Sequence, residues 1–166
     1  MRAETARLLA AMADYDRDPA LVHHFTKVHG FAAAIGVMEG LDAETQFVLE
    51  TAALVHDIGI RNARRQYGRS DGKLQEKIGP AEAEALLRSL GGYTEAQIRR
   101  VKHLVGHHHT YTNVEGMDYQ ILIEADFLVN LHESPDRYRA ILTAEERIFR
   151  TESGKRLLHS IFGEQK

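Results

Sequence analysis

The chain has 166 residues, 43% of them hydrophobic and 27% charged, with a formal net charge of -3. That length supports one soluble domain with a sizeable core, and the mild negative charge without an extended basic face argues against a nucleic-acid or anionic-membrane binder. There is no cysteine, which excludes disulfides and thiolate metal sites.

No apolar stretch approaches the roughly 18 residues of a spanning helix. Met1 to Tyr15 lacks a signal-peptide core and carries Glu4 and Asp14, so a cytoplasmic location is the expectation. Strand signals are weak and helical periodicity is strong. The reading is therefore all-α.

A first helix is expected from about Glu4 to Ala13. Asp18-Pro19 reads as cap and first turn of a second, running to about Glu39 and ended by Gly40. Asp42 caps a third, whose Phe47, Val48, Thr51, Ala52, Leu54 and Val55 recur at helical spacing and which Gly59 ends. Residues 60–78 are polar, with Arg61, Arg64, Arg65, Arg69, Lys73 and Lys77, and read as the longest loop. A helix is expected to follow Pro80 and stop before Gly91-Gly92. Thr94 to Gln97 has the form of a capping box. Gly106 to Gly116 is a turn region, Asp118 to Glu133 a buried helix, Ser134-Pro135 the start of another, and Lys155 to Phe162 the last.

The composition is unusual in one respect: ten histidines against four methionines and no tryptophan. Asp126 sits amid Ile121, Leu122, Ile123, Ala125, Phe127, Leu128, Val129 and Leu131. A buried carboxylate there requires a cation, either a basic side chain or a metal. His56-Asp57 ends the apolar run Ala52 to Val55. An imidazole and a carboxylate side by side suit first-row divalent metals, although such a pair also serves as an ordinary helix end and turn. His24 shares a helical face with Val28 and Ala32, whereas His23 and His29 read as solvated or packing residues. His107-His108-His109 is the densest cluster, and His103 and His107 stand four apart.

In chain order the elements are His24, His56-Asp57, His107-His108 and Asp126, in the words HFTKVHGFAAAIG, ETAALVHDIG, LVGHHHTY and ILIEADFLVN. This arrangement resembles the HD-domain superfamily of metal-dependent phosphohydrolases, over about residues 20–135. The resemblance implies a single HD domain over 1–166, an all-α bundle of about six to eight helices around a buried metal site, with an N-terminal helix and a C-terminal helical cap. It implies that His24, His56, Asp57 and Asp126 bind one divalent ion (Fe, Mn, Ni, Co or Zn), with metal-activated water attacking phosphorus.

Some members hold a second metal, for which His107 and His108 match. Where such members often have a further His, this chain has Gln75-Glu76-Lys77-Ile78-Gly79, so Glu76 becomes the candidate oxygen ligand. With one metal, Asp57, His107 and His108 are the candidate catalytic groups, the histidines contacting phosphate or protonating the leaving group. Arg61, Arg65 and Lys73 are candidates for gripping substrate phosphates. The chain lacks the Glu after the HD pair found in some nucleotidases and the Gly-Tyr-Pro extension of cyclic-dinucleotide esterases. The implied substrate is nucleotide-like or another small phosphorylated molecule. The alternative is an HD module that binds metal for sensing, with little turnover. A homodimer is left open.

Overall fold

The computed structural model describes residues 2–133 and 137–163, with side chains from 2–132 and 140–163. Among these residues there is no strand, and no helix is long and apolar enough to cross a membrane. The expected all-α architecture is what the chain adopts. Its helices are α1 (Ala3–Asp16), α2 (Pro19–Met38), α3 (Ala43–Val55), α4 (Ile60–Tyr67), α5 (Gly72–Leu90), α6 (Glu95–Val105), α7 (Met117–Glu133), α8 (Arg137–Arg147) and α9 (Glu152–Phe162).

Local chemistry sets most boundaries. Asp18 accepts from Ala20 N at 2.9 Å with Pro19 in the first turn of α2. Gly40, at φ 73°, ends α2 in a Schellman turn: its N–H donates to Val37 O and Leu41 N–H to Gly36 O. Asp42 accepts from Glu44 N and Thr45 N at the start of α3. The capping box at Thr94 forms in both directions with Gln97.

The centre of the molecule is α2, α3 and α7, with α2 packed most extensively against the other two and α6 set against α3. Phe25, Val28, Ala32, Ile35, Leu49, Ala52, Leu54, Ile121, Leu122 and Ala125 are all buried there. α1 covers one side through Leu8 and Met12, while α8 and α9 cover α7 through Ala144 and Leu158. The buried carboxylate of Glu124 ties that cover down, accepting from Arg150 N at 2.6 Å and Thr151 N at 2.9 Å.

Two expectations need correction. Residues 60–78 are not one loop. α4 buries Ile60 and Ala63 and turns Arg61, Arg64 and Arg65 outward, so its polar composition reflects a one-sided short helix rather than missing structure. Gly68, at φ 68°, ends it and Asp71 caps α5. Pro80 does not open a helix either; it lies inside α5. The carbonyl of Glu76, which loses its partner to the missing Pro80 N–H, faces the open side of Gly106. The expected helix start at Ser134-Pro135 falls outside the described residues.

Close backbone approach seats the front of α5. A Cβ on Gly59 would lie 2.9 Å from Gly79 N, and one on Gly79 would lie 2.8 Å from Val105 Cγ1. Gly59 has φ -71°, so it is required for space and not for a left-handed turn. Gly59→Ala is therefore expected to destabilise by about 2 kcal/mol, a Tm drop of roughly 4–8 °C. Gly30→Ala, on α2 where an added Cβ meets nothing within 4 Å, is expected to raise Tm slightly. Thermal melts of the two variants check the pair.

Candidate metal centre

Three buried helices deliver the ligand atoms. His24 comes from the inner face of α2, in line with Val28 and Ala32, and Asp126 from the middle of α7. His56 and Asp57 follow the last turn of α3, where the chain leaves helical geometry before α4. His56 is fully buried and Asp126 is 4% exposed. His56 Nδ1 donates to Ala53 O at 2.8 Å, which fixes the ring and aims Nε2 inward.

The inward atoms converge. His24 Nε2 and His56 Nε2 are 3.3 Å apart. Asp126 Oδ1 lies 3.2 Å from the first and 3.6 Å from the second, and Asp57 Oδ2 lies 3.5 Å from both. Asp126 Oδ1 is nonetheless buried without a hydrogen-bond partner, because these contacts are within ion-pair range but not aligned as hydrogen bonds. Two ligands held about 2.1 Å from one ion at a tetrahedral angle stand about 3.4 Å apart. His24, His56 and Asp57 thus form a group that could hold a metal ion, with Asp126 Oδ1 beside it.

The carboxylate of Asp57 faces two ways. While Oδ2 points to His24 and His56, Oδ1 lies 3.4 Å from His108 Nε2. His108 is 1% exposed, its Nδ1 donates to Val105 O at 2.8 Å, and its Nε2 has no hydrogen-bond partner. His109 completes a second group with Asp57 and His108, their ligand atoms all within 4.8 Å of one another. Its ring lies 4.1 Å from that of His108, donates through Nε2 to Gln75 Oε1 at 2.9 Å, and rests on the bare face of Gly72.

The remaining sequence candidates fall elsewhere. His107 is exposed, stacks on His103 at 4.4 Å and bonds His103 O through Nδ1. Glu76 accepts from His109 N at 3.0 Å and Thr110 Oγ1 at 2.9 Å, so it braces the histidine turn instead of joining either ligand group. Tyr119 fixes the same turn by donating to His107 O and Thr110 O, both at 2.6 Å. The guanidinium of Arg61 donates to Tyr15 O and sits over the Tyr15 ring. Arg65 and Lys73 are exposed on the α4–α5 side and form no ion pair among the described residues.

Charge inside the centre is balanced by protons. Burial works against a charged His56, but Asp57 and Asp126 overcome it and push its pKa up to about 9. Burial would raise Asp57, yet His56 and His108 pull it down to about 2. Asp126 is likewise held far below the usual carboxylate range by His24 and His56 despite its burial. The proton on His56 supplies positive charge of the kind a metal cation would bring.

Sequence reading missed Asp16, at the end of α1. Its Oδ1 is buried without a partner. Burial raises its pKa to about 6, Arg61 acting against this and the charge of Asp57 adding to it. Nothing in the local sequence marks it, because the proximity arises from how α1 docks on α4 and α5. There the Tyr15 hydroxyl donates to Glu82 Oε2 at 2.9 Å and Asn62 Nδ2 donates to Glu82. A raised carboxyl costs stability only once it ionises, so the penalty is absent below about pH 4 and complete above about pH 6. Asp16→Asn should therefore raise Tm by roughly 2–4 °C near pH 8, allowing for partial solvent screening, and leave it unchanged near pH 4. A gain of equal size at both pH values would contradict this account.

No protein-family model, curated protein or solved structure matches this chain. The reading of the centre accordingly rests on its own geometry.

Proposed function

We propose that the chain is a metal-dependent phosphohydrolase of the HD type, acting on a small phosphorylated substrate, nucleotide-like or otherwise. One observation carries the reading: two imidazole nitrogens and two carboxylates from α2, α7 and the turn after α3 converge at 3.2–3.6 Å in the buried centre, with Asp126 Oδ1 left unpartnered. Nitrogen and oxygen donors of this kind suit Mn, Fe, Co, Ni or Zn.

His24, His56, Asp57 and Asp126 are the ligands in this reading. The cation supplies Lewis acidity, acidifying water and offsetting charge on a phosphoryl oxygen. With a single ion bound, His108, its Nε2 directed at Asp57 Oδ1, would pass a proton toward the leaving oxygen; with two ions bound, that nitrogen would be a ligand instead. Asp57, His108 and His109 offer a second subsite, with His109 taking the place expected of His107 and Glu76 orienting the turn. Burial and the neighbouring His108 lower the His109 pKa to about 4, which keeps its ring neutral and able to bind metal at ordinary pH. Arg65 and Lys73 would draw the anionic substrate to this side of the molecule, with Arg61 already committed to Tyr15.

Elemental analysis of protein purified without a histidine tag tests the reading. One or two equivalents of a first-row divalent metal are expected in the wild type, lost in His56→Ala and Asp126→Ala, together with metal-dependent release of phosphate from p-nitrophenyl phosphate. Metal without turnover would select the sensing module. A folded wild type that takes up none of the five ions would remove the mechanism. Because His56 must lose its proton to bind metal, affinity should fall about tenfold per unit as pH drops below about 9. Calorimetry in buffers of different ionisation enthalpy would register the released proton.

A further inference from the structure

Beyond the histidine turn the chain builds a cavity that the metal chemistry does not use. Its volume is about 270 Å³, and Tyr111, Val114, Ile123, Ile148, Arg147 and Arg150 line it. Four observations join it to the centre. Tyr111 is the second residue after His109. Its ring packs edge-on, 5.3 Å away, against Phe127, the residue after Asp126. The charges of Asp126 and Glu76 both reach its hydroxyl. Ile123 stands one helical turn before Asp126 on α7, so one helix lines both spaces.

The lining is selective. Val114, Ile123 and Ile148 supply apolar wall, and Tyr111 supplies a half-exposed aromatic ring. The Arg150 guanidinium is fixed by the carbonyls of Glu146, Arg147 and Phe149 at 2.8–3.1 Å. The Arg147 side chain has neither a hydrogen bond nor an ion pair among the described residues and remains free to meet a ligand. The volume lies below the roughly 300–1,000 Å³ typical of a whole small-molecule site, so the cavity suits part of a substrate whose phosphate sits at the metal.

We propose that this cavity is the subsite for the non-reacting part of the substrate, a planar aromatic ring, with Tyr111 as the stacking surface and Arg147 as the cationic partner. Aromatic and guanidinium faces both favour flat π-systems, a stacking contribution that a saturated sugar or polyol does not make. The proposal rests on the phosphohydrolase reading for the position of the phosphate.

The test compares adenosine 5′-monophosphate, which carries a ring, with ribose 5-phosphate, which does not, on protein loaded with Mn²⁺. The wild type should prefer the ring-bearing ester. Tyr111→Ala should raise its KM about tenfold or more with kcat little changed, and should alter kcat/KM for ribose 5-phosphate by less than about twofold. Tyr111→Phe should behave as wild type, Arg147→Ala should fall between, and all variants should retain the metal content and Tm of the wild type. Equal losses on both esters, or no loss on either, would overturn the subsite. If the wild type hydrolyses neither ester, the hydrolase reading is decided separately by release of phosphate from p-nitrophenyl phosphate. Calorimetric binding of adenosine 5′-monophosphate then decides: about tenfold weakening in Tyr111→Ala upholds the subsite, and absence of binding by the wild type rejects it.

Discussion

Two carboxylates, one buried and one nearly so among apolar helices, set the terms for everything around them. Asp126 occupies the middle of α7 with Leu122, Ile123, Ala125 and Val129 buried beside it, and Asp57 sits at the end of the equally buried α3. Negative charge in such surroundings costs several kcal/mol per ion unless a cation answers it. Among the described residues no lysine or arginine pairs with either carboxylate; imidazoles do. Histidine differs from those residues in being able to give up its proton near neutral pH. A centre balanced this way can exchange protons for a metal ion without repacking its helices, which a centre balanced by arginine could not do.

The arrangement of helices follows from that centre. α2, α3 and α7 pack against one another, and the candidate ligands come from α2, α7 and the turn that follows α3, so the same packing that builds the core brings them together. The other elements hold the ligand turns in place. Glu76 and Tyr119 bind both ends of the histidine turn, Ala53 and Val105 carbonyls orient His56 and His108, and the glycine contacts of α5 bring Gln75 against His109.

Much of this was legible in the sequence wherever the signal was local. The caps at Asp18, Asp42 and Thr94 and the stop at Gly40 lie where their chemistry requires. His24, His56, Asp57 and Asp126 meet in space as their order suggested. What could not be read depended on contacts between distant segments or on helical phase. His103 and His107 look like a ligand pair because they stand four apart, but α6 ends at Val105. The change of direction after it turns His108 and His109 inward and leaves His107 outside. The polar run at 60–78 hid α4 because that helix buries only Ile60 and Ala63. Asp16 and Gly79 have no local signature, since each matters through a partner far away in the chain.

The contact of the His109 ring with Gly72, where an added Cβ would come within 2.8 Å of the ring, bears on how this chain can vary over evolutionary time. An alanine at 72 needs a smaller residue at 109, and such a residue gives up a ring nitrogen beside Asp57. Position 79 is tied to 105 in the same way, through the Val105 side chain, whereas Gly59 meets the backbone of Gly79 and no partner substitution can relieve it. Sequences descending from this one can drift freely on the outer face of α4, can change 72 with 109 or 79 with 105 in compensated pairs, and are held to glycine at 59.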